Sequence, residues 1–131
     1  MANNYPTLKS ALKPAVLFVS VMWISHLIKV IGHFNWNIYG IYPREVDGLF
    51  GIIAAPFLHS NFQHLFSNSI PMFFMITLIY LFYNGIATLS ILSIYVLTGI
   101  SVWLFGRSVY HIGASGVVYG LISFVFWSGV F

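Results

Sequence analysis

A serine between small residues is the strongest candidate for a nucleophile in this chain. Ser115 follows Gly113 and Ala114, precedes Gly116, and opens an apolar run that continues to residue 131. At a helix N-terminus, unpaired backbone N–H groups and the helix dipole stabilise negative charge. Such a position suits a serine that attacks a carbonyl carbon, because the intermediate of acyl transfer carries an oxyanion.

Polar residues open an earlier apolar run. The segment that begins at His59 contains His64 and Asn68, which are four residues apart and therefore lie on one face of a helix. Polar groups within a membrane span usually face a bundle interior or a wet cavity, so both side chains are potential oxyanion donors. Interhelical hydrogen bonding is the alternative for this pair, and it is the favoured interpretation for His59.

The serine motif is weak when it is taken alone. Gly116 and Gly120 form a small-xxx-small pair, which is typical of close helix packing. The Gly-x-Ser-x-Gly elbow of soluble hydrolases is not matched, since Val117 occupies the position of its second glycine. The two acidic residues of the chain lie far from the apolar runs, so a Ser-His-Asp triad is not predicted.

The composition of the chain indicates that its apolar runs lie in a lipid bilayer rather than in water. Of 131 residues, 60% are hydrophobic and only 5% are charged, whereas soluble domains carry roughly a quarter charged residues. Each of four apolar runs has about the ~20 residues that cross a bilayer as a helix. We therefore predict an all-α fold, a polytopic transmembrane helical bundle formed by one domain over residues 1–131. A polar lead, residues 1–13, precedes the predicted spans, which are residues 14–31, 65–83, 87–105 and 114–131.

A long segment, about residues 33–63, separates the first two predicted spans. Glycine and proline punctuate it, which argues against one continuous helix. It is also rich in tryptophan, tyrosine and aliphatic residues, and the aromatic residues among them favour the headgroup region of a bilayer. We predict a membrane-associated loop.

The charges of the chain leave its orientation undecided. Lys9 and Lys13 favour a cytoplasmic N-terminus under the positive-inside rule. That arrangement places Lys29, Arg44 and Arg107 on the outer side, so the bias cancels. No basic cluster indicates a nucleic-acid partner, and the absence of cysteine excludes disulfides and thiol chemistry.

Taken together, three motifs resemble the rhomboid family of intramembrane serine proteases. His59-x4-His64-x3-Asn68 is similar to the family's His-x4-His-x3-Asn signature. Residues 113–121 resemble its catalytic-serine segment, and residues 40–44 resemble a Pro-Arg loop found in part of the family. The order and separation of the motifs also fit.

The resemblance implies a bundle of six spans, of which about four are present here, around a water-filled active site. It implies that Ser115 is the nucleophile and that His64, Asn68 and the Ser115 backbone N–H form the oxyanion hole. Transmembrane proteins are then the substrates, in a bilayer that we expect to be the bacterial inner membrane, with no cofactor and no metal. Four further residues are expected to support the site: Tyr119, Gly113, Gly116 and His59. Of these, Tyr119 is expected to pack against the catalytic histidine.

The family's general base is a histidine on the sixth span, in an Ala-His-x2-Gly-x3-Gly pattern. No Ala-His pair occurs in this sequence, so we expect the base beyond residue 131 and residues 1–131 alone to be inactive. A non-catalytic rhomboid-like protein that binds transmembrane partners is the alternative. A third hypothesis is a transport or channel subunit with His59 and His64 lining a pore.

Overall fold

The fold is helical throughout the part of the chain that the computed structural model describes, residues 6–130. This finding confirms the predicted all-α class: within those residues no strand forms, and the one isolated β-bridge joins Ile41 to His111. Short 3₁₀ turns, Trp36–Tyr39, Asp47–Phe50 and Ala55–Phe57, lie between the longer elements. The five α-helices are α1 (Leu8–Ile31), α2 (Gly51–Ala54), α3 (Phe62–Phe82), α4 (Ala87–Phe105) and α5 (Ser115–Val130).

Three of these helices, α1, α3 and α4, are long and apolar enough to cross a membrane. Helix α5 is also apolar, with 16 residues, and the last residue of the predicted fourth span lies outside the described part. Helix α4 buries only Ala87 and Gly99, whereas Leu89, Leu92 and Leu97 on its surface are exposed. Such a surface is stable against lipid rather than water, and the chain is an integral membrane protein.

Capping residues move two helix starts away from the predicted ones. Helix α1 begins at Leu8, because the Thr7 hydroxyl accepts a hydrogen bond from the backbone N–H of Ser10 at 3.2 Å. The prediction of a polar lead through residue 13 is therefore wrong from residue 8 onward. Helix α3 begins at Phe62 rather than at residue 65, with Asn61 as its N-cap. Hydropathy marks the apolar part of a helix, whereas polar capping groups fix where the helix begins.

The core forms where α3 packs against α1 on one side and α5 on the other. Trp23 Nε1 of α1 donates a hydrogen bond to Ser69 Oγ of α3 at 2.9 Å, which pairs two polar groups inside the bundle. Apolar side chains from these helices, from α4 and from the residue before α5 complete the core. Its fully buried members are Ala15, Met22, Leu65, Met72, Ile79, Ala87, Ala114 and Leu121.

The segment predicted as a membrane-associated loop is folded and joined to the α4–α5 connection. Ile41 and His111 exchange two backbone hydrogen bonds, of 2.9 and 2.8 Å. The guanidinium of Arg44 donates to the carbonyl oxygens of Leu104 at 3.3 Å and Gly106 at 2.8 Å, and to Ser108 Oγ at 2.9 Å. These carbonyls belong to the C-terminal end of α4, where acceptors lack intrahelical donors.

Replacing Arg44 with alanine is expected to lower the free energy of unfolding by about 1–2 kcal/mol, since a cation and three hydrogen bonds at a helix C-terminus are lost. Thermal denaturation in mild detergent measures this change. Arg107→Ala is the control, because the Arg107 side chain makes no hydrogen bond within the described residues. Equal melting temperatures for the two variants would contradict the anchoring role of Arg44.

Candidate active site

The start of α3 positions two polar side chains one helical turn apart. Asn61 Oδ1 accepts a hydrogen bond of 2.9 Å from the backbone N–H of His64, which fixes the first turn. Asn68 is buried, and its Nδ2 donates to the carbonyl oxygen of His64 at 3.2 Å. An amide nitrogen has two hydrogens, so the second one remains available to a ligand.

Gly113 brings the chain before α5 against these two side chains. Its φ of +99° lies in the region that favours glycine, and its N–H donates to the carbonyl oxygen of Ala55 at 2.8 Å. A methyl group built on Gly113 would lie 2.6 Å from His64 Cε1, 2.7 Å from His64 Nε2 and 3.6 Å from Asn68 Nδ2. The imidazole edge and the carboxamide therefore both face the Gly113 backbone.

Ser115 begins α5, two residues after this contact, and is half-buried. Its hydroxyl makes no hydrogen bond within residues 6–130. It lies between an inner cavity of about 160 Å³, lined by α4 and His111 among others, and a more open groove of about 340 Å³. We call the second space the α3–α5 groove; its lining includes His64, Asn68, Pro71, Ser115, Tyr119 and Ile122.

The geometry brings a hydroxyl beside three kinds of hydrogen-bond donor. These are the His64 ring, the Asn68 carboxamide and the backbone N–H groups of the first turn of α5, which have no intrahelical acceptor. Donors about 3 Å from a developing oxyanion stabilise the transition state of acyl transfer. A general base is not part of this arrangement, since no histidine ring bonds to Ser115 among the described residues.

The sequence left helix packing and interhelical hydrogen bonding as alternatives to a catalytic role, and the structure bears on each residue differently. Methyl groups on Gly116 and Gly120 would lie 2.7 Å from Thr98 and 2.5 Å from Ile94 of α4, so both glycines allow close helix packing. In contrast, the side-chain hydrogen bonds of His64 and Asn68 within the described part of the chain stay within residues 60–68 and bridge no helices. Tyr119 lines the α3–α5 groove but is 71% exposed; its predicted contact with a catalytic histidine stays a prediction.

His59 does not bridge helices by the hydrogen bonds that the sequence favoured. Its ring is fully buried, and neither ring nitrogen has a partner within the described part of the chain. It lies edge-on to His64, with ring centroids 5.0 Å apart. Burial, with a smaller contribution from the nearby His64, His26 and Lys29, lowers the pKa of His59 to about 4. The ring is therefore neutral at neutral pH and adds no charge beside His64.

Sequence reasoning missed the groups that hold this site together. Lys29 Nζ, at the end of α1, donates to the carbonyl oxygens of His59 and Ser60 and to Asn37 Oδ1. No sequence pattern connects α1 with a loop some thirty residues later. The contact of Ser60 with His64 had no helical signal either, because Ser60 precedes the Asn61 N-cap of α3.

Comparison with known proteins finds a matching family model and several similar curated proteins. A family model described as the Rhomboid domain matches residues 46–131. An uncharacterized protein of Mycobacterium tuberculosis is 36% identical over 123 residues, which cover 87% of this chain and 50% of the relative. A second one, from Mycobacterium leprae, is 30% identical over 128 residues, covering 87% and 48%. The chain thus spans about half the length of the curated relatives it matches, and no solved structure matches it.

Proposed function

Since the chain belongs to the rhomboid family, we propose that it carries the nucleophile and the oxyanion hole of an intramembrane serine endopeptidase. One observation supports this proposal most directly. His64 Nε2 and Asn68 Nδ2 face the same point of the Gly113 backbone, two residues before the Ser115 hydroxyl. Ordinary helix packing does not require two amide or imidazole donors to converge beside a serine.

In the proposed reaction, Ser115 Oγ attacks the scissile carbonyl carbon and its proton passes to a general base. The carbonyl oxygen becomes an oxyanion that accepts hydrogen bonds from His64, Asn68 and the Ser115 N–H. The amide C–N bond then breaks, the leaving nitrogen takes the proton from the base, and Ser115 holds the acyl group as an ester. Water hydrolyses the ester with the help of the same base and regenerates the hydroxyl.

The base is proposed to be a histidine outside residues 1–131. Of the five histidines in the chain, His64 is directed at Gly113, and His111 Nε2 lies 2.9 Å from the carbonyl oxygen of Arg107. His26 and His59 are buried and His33 is exposed beyond the end of α1, and none of the three bonds to Ser115 among the described residues. The matched relatives are about twice as long as the chain, which is consistent with a base in their remaining half.

Transmembrane proteins are the proposed substrates, and the α3–α5 groove is the proposed route to Ser115. The groove combines polar donors at one end with Pro71 and Ile122 along its length. An extended substrate segment would place its scissile carbonyl near the donors and its apolar side chains against the groove wall. Because the curated relatives are mycobacterial, we propose the bacterial cell membrane as the location.

The complete open reading frame is expressed, and membranes that contain its protein are treated with a fluorescent fluorophosphonate. The modified residue is then mapped by mass spectrometry. A serine without a base is a weak nucleophile, so labelling reports both Ser115 and a functioning base. We expect a single phosphonylated residue, Ser115. No labelling of natively folded protein would overturn the proposal and favour a non-catalytic rhomboid-like protein that binds transmembrane partners.

A further inference from the structure

The residue next to His59 is exposed, lies outside the groove, and contacts the proposed oxyanion donor. Ser60 Oγ lies 3.3 Å from His64 Nδ1. The other ring nitrogen, Nε2, and the Cε1 atom between the two nitrogens face the Gly113 backbone. The two contacts agree on one ring orientation, in which Nδ1 points to the loop and Nε2 to the groove.

A neutral imidazole has one N–H donor and one acceptor nitrogen, and the partner of one nitrogen sets the protonation of the other. An oxyanion accepts hydrogen bonds, so His64 can serve it only if Nε2 carries the proton. In the neutral ring Nδ1 is then an acceptor, and Ser60 Oγ lies where it can donate to it. A serine hydroxyl rotates freely and can donate there.

Hydrogen bonds hold the backbone on either side of the contact between Ser60 and His64. Lys29 Nζ of α1 donates to the carbonyl oxygens of His59 and Ser60, the second at 3.4 Å. On the other side, Asn61 Oδ1 accepts from the His64 backbone N–H at 2.9 Å. These bonds fix the hydroxyl-bearing residue relative to the ring that it contacts. Because these bonds hold the backbone, the Ser60 hydroxyl stays near the ring, whereas a water molecule at the same place would exchange with solvent.

We infer that Ser60 is a positioning residue, whose hydroxyl holds the His64 ring in the orientation and tautomer that present Nε2–H to the groove. The inference rests on the proposed function for its catalytic meaning, but its structural content does not depend on activity. Ser60 touches no reacting atom and acts only through His64. Partners that orient metal-ligating histidines change activity by about 10–100-fold when they are removed, and we expect an effect at the lower end of that range for an imidazole without a metal.

The first test reads the ring directly. The complete protein is labelled with ¹⁵N-histidine in detergent micelles, and the His64 ring nitrogens are assigned by comparison with His64→Gln. We expect a protonated Nε2 and an unprotonated, hydrogen-bonded Nδ1 in the wild type. Ser60→Ala is expected to lose the hydrogen-bond shift of Nδ1 and to populate both tautomers, whereas Ser60→Thr keeps the wild-type spectrum.

The second test reads the oxyanion hole with the fluorophosphonate, because its phosphonyl oxygen occupies the oxyanion position. In Ser60→Ala, the labelling rate at saturating probe is expected to fall about 10-fold, with less than about 2-fold change in the half-saturating concentration. Ser60→Thr is expected to restore the rate. Ser101→Ala is the matched control, since its hydroxyl bonds only to the Leu97 carbonyl oxygen on α4.

The two tests fail separately. A wild-type His64 protonated at Nδ1, or an unchanged spectrum and rate in Ser60→Ala, would overturn the positioning role while leaving the protease proposal intact. Absence of wild-type labelling would overturn the protease proposal, and the spectra alone would then decide what Ser60 does. A melting temperature of Ser60→Ala equal to that of Ser101→Ala is expected, and a large drop would indicate a merely structural residue.

Discussion

Replacing Ser115 with alanine is expected to abolish acyl transfer, with a loss on the order of 10⁴–10⁶-fold in rate, because removal of a serine nucleophile leaves only the oxyanion hole to act. Hydrolysis of an activated ester, 4-methylumbelliferyl butyrate, by the complete protein in detergent measures the effect. The rate of the variant should approach that of buffer. Fluorophosphonate labelling should disappear in the same variant.

The structure indicates that this variant will fold. The Ser115 hydroxyl makes no hydrogen bond among the described residues, so its loss leaves no buried partner unsatisfied. Ser123→Ala on the same helix is the control, since among residues 6–130 its hydroxyl bonds to nothing but the carbonyl oxygen of Tyr119. Ester hydrolysis that survives Ser115→Ala but is lost in Ser123→Ala would exclude Ser115 as the nucleophile.

The helical elements could be predicted because hydropathy depends on composition over about ~20 residues, and α1, α3 and α4 all coincide with apolar runs. The starts of α1 and α3 could not, because the single polar groups of Thr7 and Asn61 decide them, whereas α4 spans the predicted residues 87–105. The sequence also predicted the segment before α3 only as one membrane-associated loop, without its turns. Its turns are fixed by backbone bonds to distant residues, as between Ile41 and His111, and a periodicity argument contains no such pairing.

At the candidate site, residue types and local spacing were informative and long-range contacts were not. His64 and Asn68 could be grouped because a helix places residues four apart on one face. That they meet the segment before Ser115 was suggested only by a family resemblance, since the two segments are far apart in the chain. The bond from Gly113 to Ala55 and the contacts of Lys29 depend on how three helices pack. Those contacts determine where the donors point.

Gly113 is the position where such packing has the largest expected consequence. Replacement with alanine is expected to slow Ser115 labelling by at least about 100-fold, comparable to the loss of an oxyanion donor. The new methyl group would lie 2.6 Å from His64 Cε1, so the ring must leave its place. The φ of +99° adds backbone strain of about 1–3 kcal/mol, because side-chain-bearing residues rarely adopt it.

In Gly113→Ala, backbone strain at residue 113 and displacement of the His64 ring have different measurable effects. Strain lowers the melting temperature, whereas displacement lowers the labelling rate even well below that temperature. Gly129→Ala on α5 is the matched control, since a methyl group there meets no atom of the described residues within 4 Å. We expect this control to label at the wild-type rate and to melt no lower than the wild type.

A double-mutant cycle decides whether Gly113 acts through His64. If the methyl group works by displacing the ring, Gly113→Ala should have little further effect on labelling in a His64→Ala background, because the displaced group is already absent. Contacting residues show such non-additivity, whereas independent sites add to within about 0.3–0.5 kcal/mol. Full additivity would mean that the methyl group disturbs Ser115 by another route, and the convergence of His64 and Asn68 on Gly113 would no longer support an oxyanion hole at this position.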